Sequence, residues 1–521
     1  MDSIELSLFV SRMEAVCDEM GAVLRRTAFS PNIKDRLDFS CALFDARGGL
    51  CAQAAHIPVH LGSMAFAMQS IVDRFDWLEG DVLILNDPFL GGTHLPDVTV
   101  IAPLFDRQRS LQAFVVNRAH HANIGSESPG SMPNSSSLQE EGLVIEPQKL
   151  LNAGQINQPL AAQLAALQNS SQDLQNPAGE IGGDIAAQLS ALHSGKKRLG
   201  KLLEQLGSEQ FSLALLALND YGEQIARSAL DKIPRGSYDF VDYMDDDGLG
   251  NQQQRIQLRL HVGDGEILAD FSGTDGQAAG NINCPLSVTA AAVFYVFRCL
   301  MPDNTPACAG IFRHLQVRAP EACLVNARFP AAVVAGNVET SSRIVDVVLG
   351  ALQQALPLEI PAASQGTMNN IAMGSYTHGS HWDYYETLAG GTGAGARFAG
   401  VSAVHSHMTN TLNTPVESLE LHYPVRIRRY AIRRGSGGKG RHAGGDGLIR
   451  EYEFLEETQV SILSERRQHS CWGLSGGEPG KAGKNLLDGV ALPGKCSFSA
   501  SPGQHLSIHT PGGGAWGAAI S

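Results

Sequence analysis

The amino-acid sequence predicts an α+β protein of several domains, with mixed sheets, long loops and a strand-rich C-terminal region. Apolar residues recur at helical spacing over residues 4–28, whereas residues 255–261 alternate between polar and apolar types, as a half-buried strand does. Most of the 56 glycines fall in loop-like clusters rather than inside helical patterns. At 521 residues, the chain is long enough for about three domains.

The first 120 residues predict two helices and a set of strands. One helix covers residues 4–28 and the second follows Gly62. Two short apolar runs flank a glycine turn at 47–49, which predicts a hairpin. The strand-like runs of this part are 39–44, 50–53, 81–85, 98–104 and 111–117.

The rest of the chain changes period several times. Residues 126–184 are rich in Ser, Asn, Gln, Pro and Gly and predict long surface loops with short helices. Residues 185–230 show Leu-rich helical spacing, and residues 236–275 return to strands. Apolar helices are expected near 286–300 and 339–356, and the last hundred residues predict strands and glycine turns.

These changes of period divide the chain into four predicted regions. The first combines helix, hairpin and strands with most of the metal-capable side chains. The second is purely helical, the third returns to mixed structure, and the fourth is dominated by strands. The four predicted regions are a metal-binding α+β region (1–184), a helical segment (185–235), an α+β domain that completes the cleft (236–410) and a β-rich C-terminal region (411–521).

Polar residues open the helix expected near residue 339. Thr340 and Ser341 are suited to capping it. Arg343 and Asp346 lie one helical turn apart, and an ion pair between them would explain their presence in an otherwise apolar helix.

Charge and cysteine usage exclude several classes of function. The formal net charge of −14 argues against a nucleic-acid or anionic-membrane partner, since both need a basic face. Nine cysteines, an odd number without a CxxC pair, predict reduced and mostly buried thiols. The first residues lack the basic start of a signal peptide, and no apolar stretch reaches the ~18 residues of a membrane span. We therefore expect a cytoplasmic protein.

Side chains able to bind a metal are concentrated between residues 38 and 121. Imidazole and carboxylate groups are the usual ligands of Zn, Mn and Fe, and mixed Asp/His sets leave a position open for water. For any single histidine a structural role is favoured, but the set as a whole, at the ends of strands, favours a metal site. Its members are Asp38, His56, His60, Asp87, His94, Asp97, His120 and His121.

Strand register narrows the choice of ligands. If runs 98–104 and 111–117 form a hairpin, Asp97 lies opposite His120, about 5 Å away at Cβ. His121 then points to the other face, although a slip of one residue would exchange the two histidines. Asp38 opens its own strand as Asp97 does, so it is a plausible fourth ligand.

Other motifs carry a weaker signal. His56 and His60 flank a proline loop and fit either substrate binding or a structural role, and His405 and His407 fit a polar strand better than a cleft. The glycine loop at 390–395 lacks a Walker lysine. Metal-assisted hydrolysis is the chemistry that the residues favour.

Several long motifs resemble the hydantoinase B/oxoprolinase family, almost from end to end. Within one of them, Asn123 and Ser126 stand where many relatives have Asp and Gly, so substrate preference is expected to vary there. The motifs are RLDFSCAL (36–43), HIPVHLGSM (56–64), NDPFLGGTHLPDV (86–98), RAHHANIG (118–125), DFSGT (270–274), GNVETS (336–341) and HSHMTNT (405–411).

The resemblance implies an ATP-dependent cyclic amide hydrolase that opens a hydantoin, 5-oxoproline or lactam ring. A hydantoinase A-type partner subunit would bind ATP and phosphorylate the substrate's carbonyl oxygen, and this chain would act on the activated species. The family's divalent metal (Zn, Mn or Fe) would be held by Asp38, His94, Asp97 and His120. As a hypothesis of mechanism that goes beyond the resemblance, His121 or Glu141 would shuttle protons, and His56, His60 and Asp87 are candidates for contact with the substrate.

Three other functions remain open at this level. A carboxylase subunit of the acetone carboxylase type would use a similar metal site with bicarbonate, but the length of this chain is closer to that of the hydantoinase subunits. A non-catalytic scaffold has no use for a cluster of unpaired polar groups. A hydrolase acting without ATP would have to open an unactivated lactam, which resists simple hydrolysis.

Overall fold

A computed structural model describes residues 2–54, 56–168, 182–376 and 382–519, and it confirms the α+β class. Expectations for residues 169–181 lie outside the described residues. The α-helices within the described ranges are α1 Ser3–Thr27, α2 Pro31–Lys34, α3 Pro58–Val72, α4 Gln158–Gln168, α5 Gly183–Leu206, α6 Ser208–Leu230, α7 Leu286–Cys299, α8 Ser341–Ala355 and α9 Val416–His422.

The first part of the chain forms a seven-stranded antiparallel sheet. Its strands are β1 Phe39–Asp45, β2 Leu50–Gln53, β3 Val82–Leu85, β4 Asp97–Phe105, β5 Leu111–His120, β6 Gln148–Asn152 and β7 Gln155–Ile156. Their spatial order is β2-β1-β5-β4-β3-β6-β7. The strands expected from the sequence are confirmed, whereas β6 and β7 extend the sheet edge where only loops and short helices were expected.

Three smaller sheets follow. The second contains β8 Gly236–Tyr243, β9 Arg255–Val262, β10 Ile267–Asp270 and β11 Leu315–Arg318, with β10 and β11 parallel. The third contains β12 Asn370–Ser375, β13 Trp382–Glu386, β16 Thr458–Leu463 and β19 Lys495–Ala500. The fourth contains β14 Val425–Ile432, β15 Leu448–Phe454, β17 Lys484–Leu487, β18 Val490–Leu492 and β20 His505–His509.

Helices cover both faces of the seven-stranded sheet. Along β1, Cys41 and Leu43 face the core that contains α1, whereas Ala42 and Phe44 face the core beneath α3. This alternation is the two-residue period of a strand. Because both faces are apolar, the strands are buried almost throughout, and polar side chains collect at their ends.

Two main cores hold the remaining elements. The larger core continues from the α1 face of the first sheet through α5, α6, α7 and α8 to the second sheet. A separate core lies between the third and fourth sheets. The division into four regions at the stated boundaries stays a prediction.

The structure shifts the start of one helix and adds a short one. Helix α3 begins at Pro58 rather than after Gly62, because proline at the first helical position has its φ preset for a helix. Helix α9 occurs in the C-terminal region, where strands and turns were expected. Most of the cysteines are buried, as expected. Among the described residues, no helix is long and apolar enough to cross a membrane.

The expected ion pair between Arg343 and Asp346 is wrong. Arg343 pairs instead with Glu465, at 2.9 Å between Nη2 and Oε2, and Asp346 pairs with Arg466. The helix is buried all round, so its charges reach partners on other elements. Capping is also wrong, because a π-helical turn, Gly336–Thr340, precedes α8 and the Thr340 hydroxyl donates to Ile282 O.

Gly62 on α3 packs directly against Ala291 on α7. A Cβ atom added there would lie 2.6 Å from Ala291 Cα, which is backbone and cannot move aside cheaply. Glycine to alanine inside a helix ordinarily stabilises by about 1 kcal/mol. Here we expect Gly62→Ala to lower the free energy of unfolding by about 1–3 kcal/mol, as overpacking does. Urea denaturation measures this free energy. Gly276→Ala is the control, because the added atom meets nothing within 4 Å there. An unchanged free energy of unfolding in G62A would contradict the close packing.

Candidate metal centre

The centre of the site lies where β4 begins and β5 ends. Asp97 pairs directly with His120 across these antiparallel strands, which confirms the register expected from the sequence. Both side chains are buried, with Asp97 fully inaccessible and His120 2 % exposed. The ladder therefore fixes a carboxylate and an imidazole side by side in the protein interior.

Three histidines converge on the Asp97 carboxylate. His94 Nε2 lies 3.2 Å and His120 Nδ1 3.1 Å from Asp97 Oδ1. His60 Nε2, from α3, lies 3.1 Å from the other oxygen, Oδ2. The candidate ligand atoms of His94, Asp97 and His120 all lie within 4.8 Å of one another.

This donor set fits a divalent metal ion. His94 Nδ1 and His120 Nε2 are buried and have no hydrogen-bond partner among the described residues. Buried polar atoms are otherwise almost always paired, so unpaired nitrogens beside a carboxylate indicate a ligand. Imidazole nitrogen and carboxylate oxygen are ligands that Zn, Mn and Fe accept.

Asp38 lies beside this group rather than within it. It lines the same cleft, and its Oδ1 is 3.9 Å from His60 Nε2. Its other oxygen is 3.7 Å from Arg36 Nη2. The structure thus brings together the four ligands that the resemblance implies, and adds His60, which was expected to contact substrate, within reach of the same carboxylates.

Two further side chains orient Asp97. The Thr93 hydroxyl donates to Oδ2 at 2.6 Å, and the Asn337 amide donates to the same oxygen at 3.3 Å. Burial alone would raise the pKa of Asp97, but His94 and His60 hold it well below the usual range. Groups that hydrogen-bond to a ligand carboxylate fix its orientation and tune its basicity. Asp97 is therefore held ionised, with its carboxylate oriented toward the three histidines.

The pKa values of two histidines are shifted in opposite directions. Burial lowers the pKa of His94, but the adjacent Asp97 more than offsets this, so the value is raised. Burial also lowers the pKa of His120, and there it prevails over the hydrogen bond to Asp97. His120 is therefore in the neutral form that a metal ligand requires.

The loop that carries His94 is held by its own sequence. Asn86 donates to the carbonyl of Leu95 at 2.8 Å and accepts from the amide of Ile145 at 2.6 Å, which ties both ends of the loop. Gly92 packs so closely that a Cβ atom would lie 2.2 Å from Asn86 O. These contacts explain why the motif needs an asparagine at its start and a glycine before Thr93.

The opposite wall of the cleft comes from elements far along the chain. Tyr385 stacks on His120 with ring centres 4.8 Å apart, and the Arg36 guanidinium lies 4.6 Å from the centre of the Tyr385 ring. The cleft measures about 290 Å³ with its open mouth, but its interior leaves only about 20 Å³ free, room for about one ion or water. Its other lining residues are Ile57, Val59, Asn337, Val338, Met368, Thr387, Met408, Thr409 and Thr411.

His121 and Glu141, expected to shuttle protons, differ in placement. His121 points away from the cleft, as strand alternation predicts, with Nε2 2.9 Å from Gln188 Oε1 on α5. Glu141 is fully buried, and its Oε1 accepts from the amides of Val333 and Val334. Its Oε2 has no partner within the described part of the chain, and burial raises its pKa to about 7.

The structure places two expected substrate contacts outside the cleft lining. Asp87 caps a short 3₁₀ turn, accepting from the Phe89 amide at 2.8 Å. His56 Nδ1 accepts from the Cys41 amide at 3.1 Å and packs against Phe39, and burial lowers its pKa to about 4. Both contacts are local and structural.

Sequence reasoning missed the residues of the far wall. Asn337 lies in the GNVETS motif, which was given no role in the site. Met408, Thr409 and Thr411 lie in HSHMTNT, where a polar strand was preferred to a place in the cleft; the structure has no strand there, and these three residues line the cleft. Tyr385 lay in no motif that we singled out. Only the three-dimensional arrangement brings them within reach of His120.

Comparison with known proteins relates the whole described chain to one family. The sequence profile of the hydantoinase B/oxoprolinase family matches residues 2–519. The chain is 40 % identical to 5-oxoprolinase 1 of Arabidopsis thaliana, with 100 % of this chain but only 42 % of that protein covered. It is 30 % identical to a putative D-/L-hydantoinase subunit of a Pseudomonas species, covering 99 % of this chain and 90 % of that one.

A solved structure shows the same fold. The ATP-dependent caprolactamase from Pseudomonas jessenii superimposes with a TM-score of 0.90 at 26 % identity, covering 99 % of this chain and 91 % of that chain. The chain therefore belongs to the hydantoinase B/oxoprolinase family. It spans about two fifths of the length of the plant 5-oxoprolinase.

Removal of single ligands should abolish metal binding. We expect about one equivalent of divalent metal in the purified chain after supplementation with Zn, Mn or Fe, and loss of that metal in Asp97→Ala and His120→Ala, since each removes a converging donor. Elemental analysis measures it. His121→Ala is the matched control, because the neighbouring histidine faces α5; loss of metal in H121A with retention in H120A would contradict the assigned register.

Proposed function

We propose that this chain is the metal-dependent subunit of a cytoplasmic, ATP-dependent hydrolase of cyclic amides. It would open the ring of a hydantoin, 5-oxoproline or lactam after a partner ATPase subunit has phosphorylated the carbonyl oxygen. The observation that carries the proposal is the buried convergence of His94, Asp97 and His120, in which His94 Nδ1 and His120 Nε2 have no hydrogen-bond partner among the described residues.

The comparisons support the class of reaction and the need for a partner. Relatives named 5-oxoprolinase and caprolactamase act on cyclic amides, and the caprolactamase is named as ATP-dependent. The Pseudomonas relative is named as one subunit of a hydantoinase, which implies at least one more. The remaining three fifths of the plant 5-oxoprolinase offers a place for the ATP-binding function in a single chain.

The residues of the site have different proposed roles. His94, Asp97 and His120 would hold the metal, with Asp38 and His60 beside them, and the metal would supply a Lewis acid and an activated water. Thr93 and Asn337 keep Asp97 oriented, and Tyr385 stacked on His120 keeps the imidazole plane fixed. Apolar Val338, Met368 and Met408 keep bulk water from the reacting carbon.

Glu141 does not line the cleft, but its charge helps to raise the pKa of His94, and it is suited to supply, by relay, the proton that the ring nitrogen needs as it leaves. Two backbone amides and the Ser135 hydroxyl bind its Oε1, which leaves Oε2 free to carry a proton. Because burial raises its pKa to about 7, a large fraction of the carboxyl is protonated at neutral pH.

Loss of the metal should uncouple the two half-reactions. With the partner subunit co-purified, we expect Asp97→Ala to form no ring-opened product from 5-oxo-L-proline, hydantoin or ε-caprolactam, while ATP hydrolysis by the partner continues. Product by mass spectrometry and released phosphate are measured in the same reaction. Normal product formation by D97A would contradict the proposed role of this chain.

Removal of the Glu141 proton should slow ring opening without loss of metal. We expect Glu141→Gln to lower kcat about 10²-fold, the usual contribution of a general acid. If the protonated form donates, wild-type kcat falls as the pH rises past about 7, and E141Q loses that dependence. Asp87→Asn is the control, since its carboxylate caps a turn outside the cleft. An E141Q profile like that of the wild type would exclude this role.

A further inference from the structure

We propose that Thr409 donates a hydrogen bond to an oxygen of the bound substrate. Its hydroxyl is the last of three threonine hydroxyls in a hydrogen-bonded series that starts from the Arg36 guanidinium. The ligand is an oxygen acceptor, namely the carbonyl or phosphoryl oxygen of the activated amide. This inference rests on the proposed function and adds an oxygen-binding group that faces the metal centre.

Three threonine hydroxyls lie in sequence along the far wall of the cleft. Thr387 Oγ1 and Thr411 Oγ1 are 2.7 Å apart, and Thr411 Oγ1 and Thr409 Oγ1 are 3.4 Å apart. All three side chains line the cleft and are at most 5 % exposed. Distance alone does not say which hydroxyl donates to which.

Arg36 sets the direction of donation. Its Nη2 lies 3.4 Å from Thr387 Oγ1, and a guanidinium can only donate, so Thr387 accepts from it. The Thr387 proton is then free to point onward to Thr411, and the Thr411 proton to Thr409. Each bond polarises the next in the same sense, since donors run away from the positive charge. The proton of Thr409 is left over, at the surface of the cleft.

Arg36 is held firmly enough to play this part. It is fully buried, its Nη1 donates to the carbonyl of Tyr385 at 2.7 Å, and its plane lies over the Tyr385 ring at 4.6 Å. Asp38 lies 3.7 Å from Nη2, beyond an ordinary hydrogen bond, so Nη2 remains directed at Thr387 as well. A fixed cation at one end and a cleft at the other give the hydroxyl chain a single preferred polarity.

The location matches the chemistry proposed for the site. Thr409 and Asp97 line the same cleft, so a substrate whose reacting oxygen enters from the open mouth would meet the metal ligands and this hydroxyl together. Negative charge develops on oxygen as the amide is attacked, and a preorganised donor in a dry cleft stabilises it more than water does. The hydroxyl would thus act in the transition state as well as in binding.

The test uses the complex of this chain with its ATPase partner and follows opening of 5-oxo-L-proline, hydantoin and ε-caprolactam. We expect Thr409→Val to lower kcat and kcat/KM together, by about 10²-fold, as removal of an oxyanion donor does. Thr409→Ser, which keeps the hydroxyl, should restore most of the rate. Thr387→Val, which cuts the chain at its charged end, should cause a smaller fall.

Controls separate this inference from structural damage and from the proposed function. Thr458→Val removes an equally buried hydroxyl on β16, which donates to Glu456 O, and should leave the rate unchanged. Metal content should be that of the wild type in every threonine variant. If T409V does not fold, Thr409→Ala makes the same test.

Two results would overturn the inference. Wild-type turnover in T409V, or equal loss in T409V and T409S, would refute the hydroxyl donor while leaving the proposed function intact. A wild-type complex that binds metal but opens none of the three rings would refute the proposed function, and this inference with it.

Discussion

The buried carboxylate of Asp97 is the constraint on which the site depends. An ionised group without solvent costs several kcal/mol unless charges and donors surround it. Here His60, His94 and His120 approach from a helix, a loop and a strand, while Thr93 and Asn337 donate to the same oxygen. The first sheet, α3 and the turn before α8 must therefore all be in place before this charge is satisfied.

Buried charges also join earlier parts of the chain to the C-terminal sheets. Arg36 reaches the carbonyl of Tyr385 at the end of β13, and Arg343 on α8 reaches Glu465 just after β16. Arg466 Nη2 lies 2.8 Å from Asp242 Oδ2, on β8. Such pairs add little net stability compared with apolar packing, but they allow few alternative alignments. They hold the far wall of the cleft in register with the metal-binding wall.

The sequence was sufficient for what depends on neighbours along the chain. Alternation in β4 and β5 placed Asp97 opposite His120 and turned His121 away, because a hairpin register is a local property. The sequence was insufficient where the partners are distant along the chain. Arg343 pairs with Glu465 rather than with Asp346, and His60 contacts Asp97 although a contact with substrate was expected. Neither choice leaves a periodic signal, since both depend on how sheets and helices pack.

The two walls of the cleft differ in what they permit. Asp97 and His120 lie on paired strands whose ladder bonds resist displacement, so the metal side has little freedom. Met408, Thr409 and Thr411 lie in irregular chain next to His407, whose φ of 58° is unusual for a residue with a side chain. Loops accept substitutions that strands do not, because fewer backbone bonds depend on them. Substitutions that adapt the cleft to a different ring substrate are therefore easier to accommodate on the far wall. The metal ligands stay where the first sheet holds them.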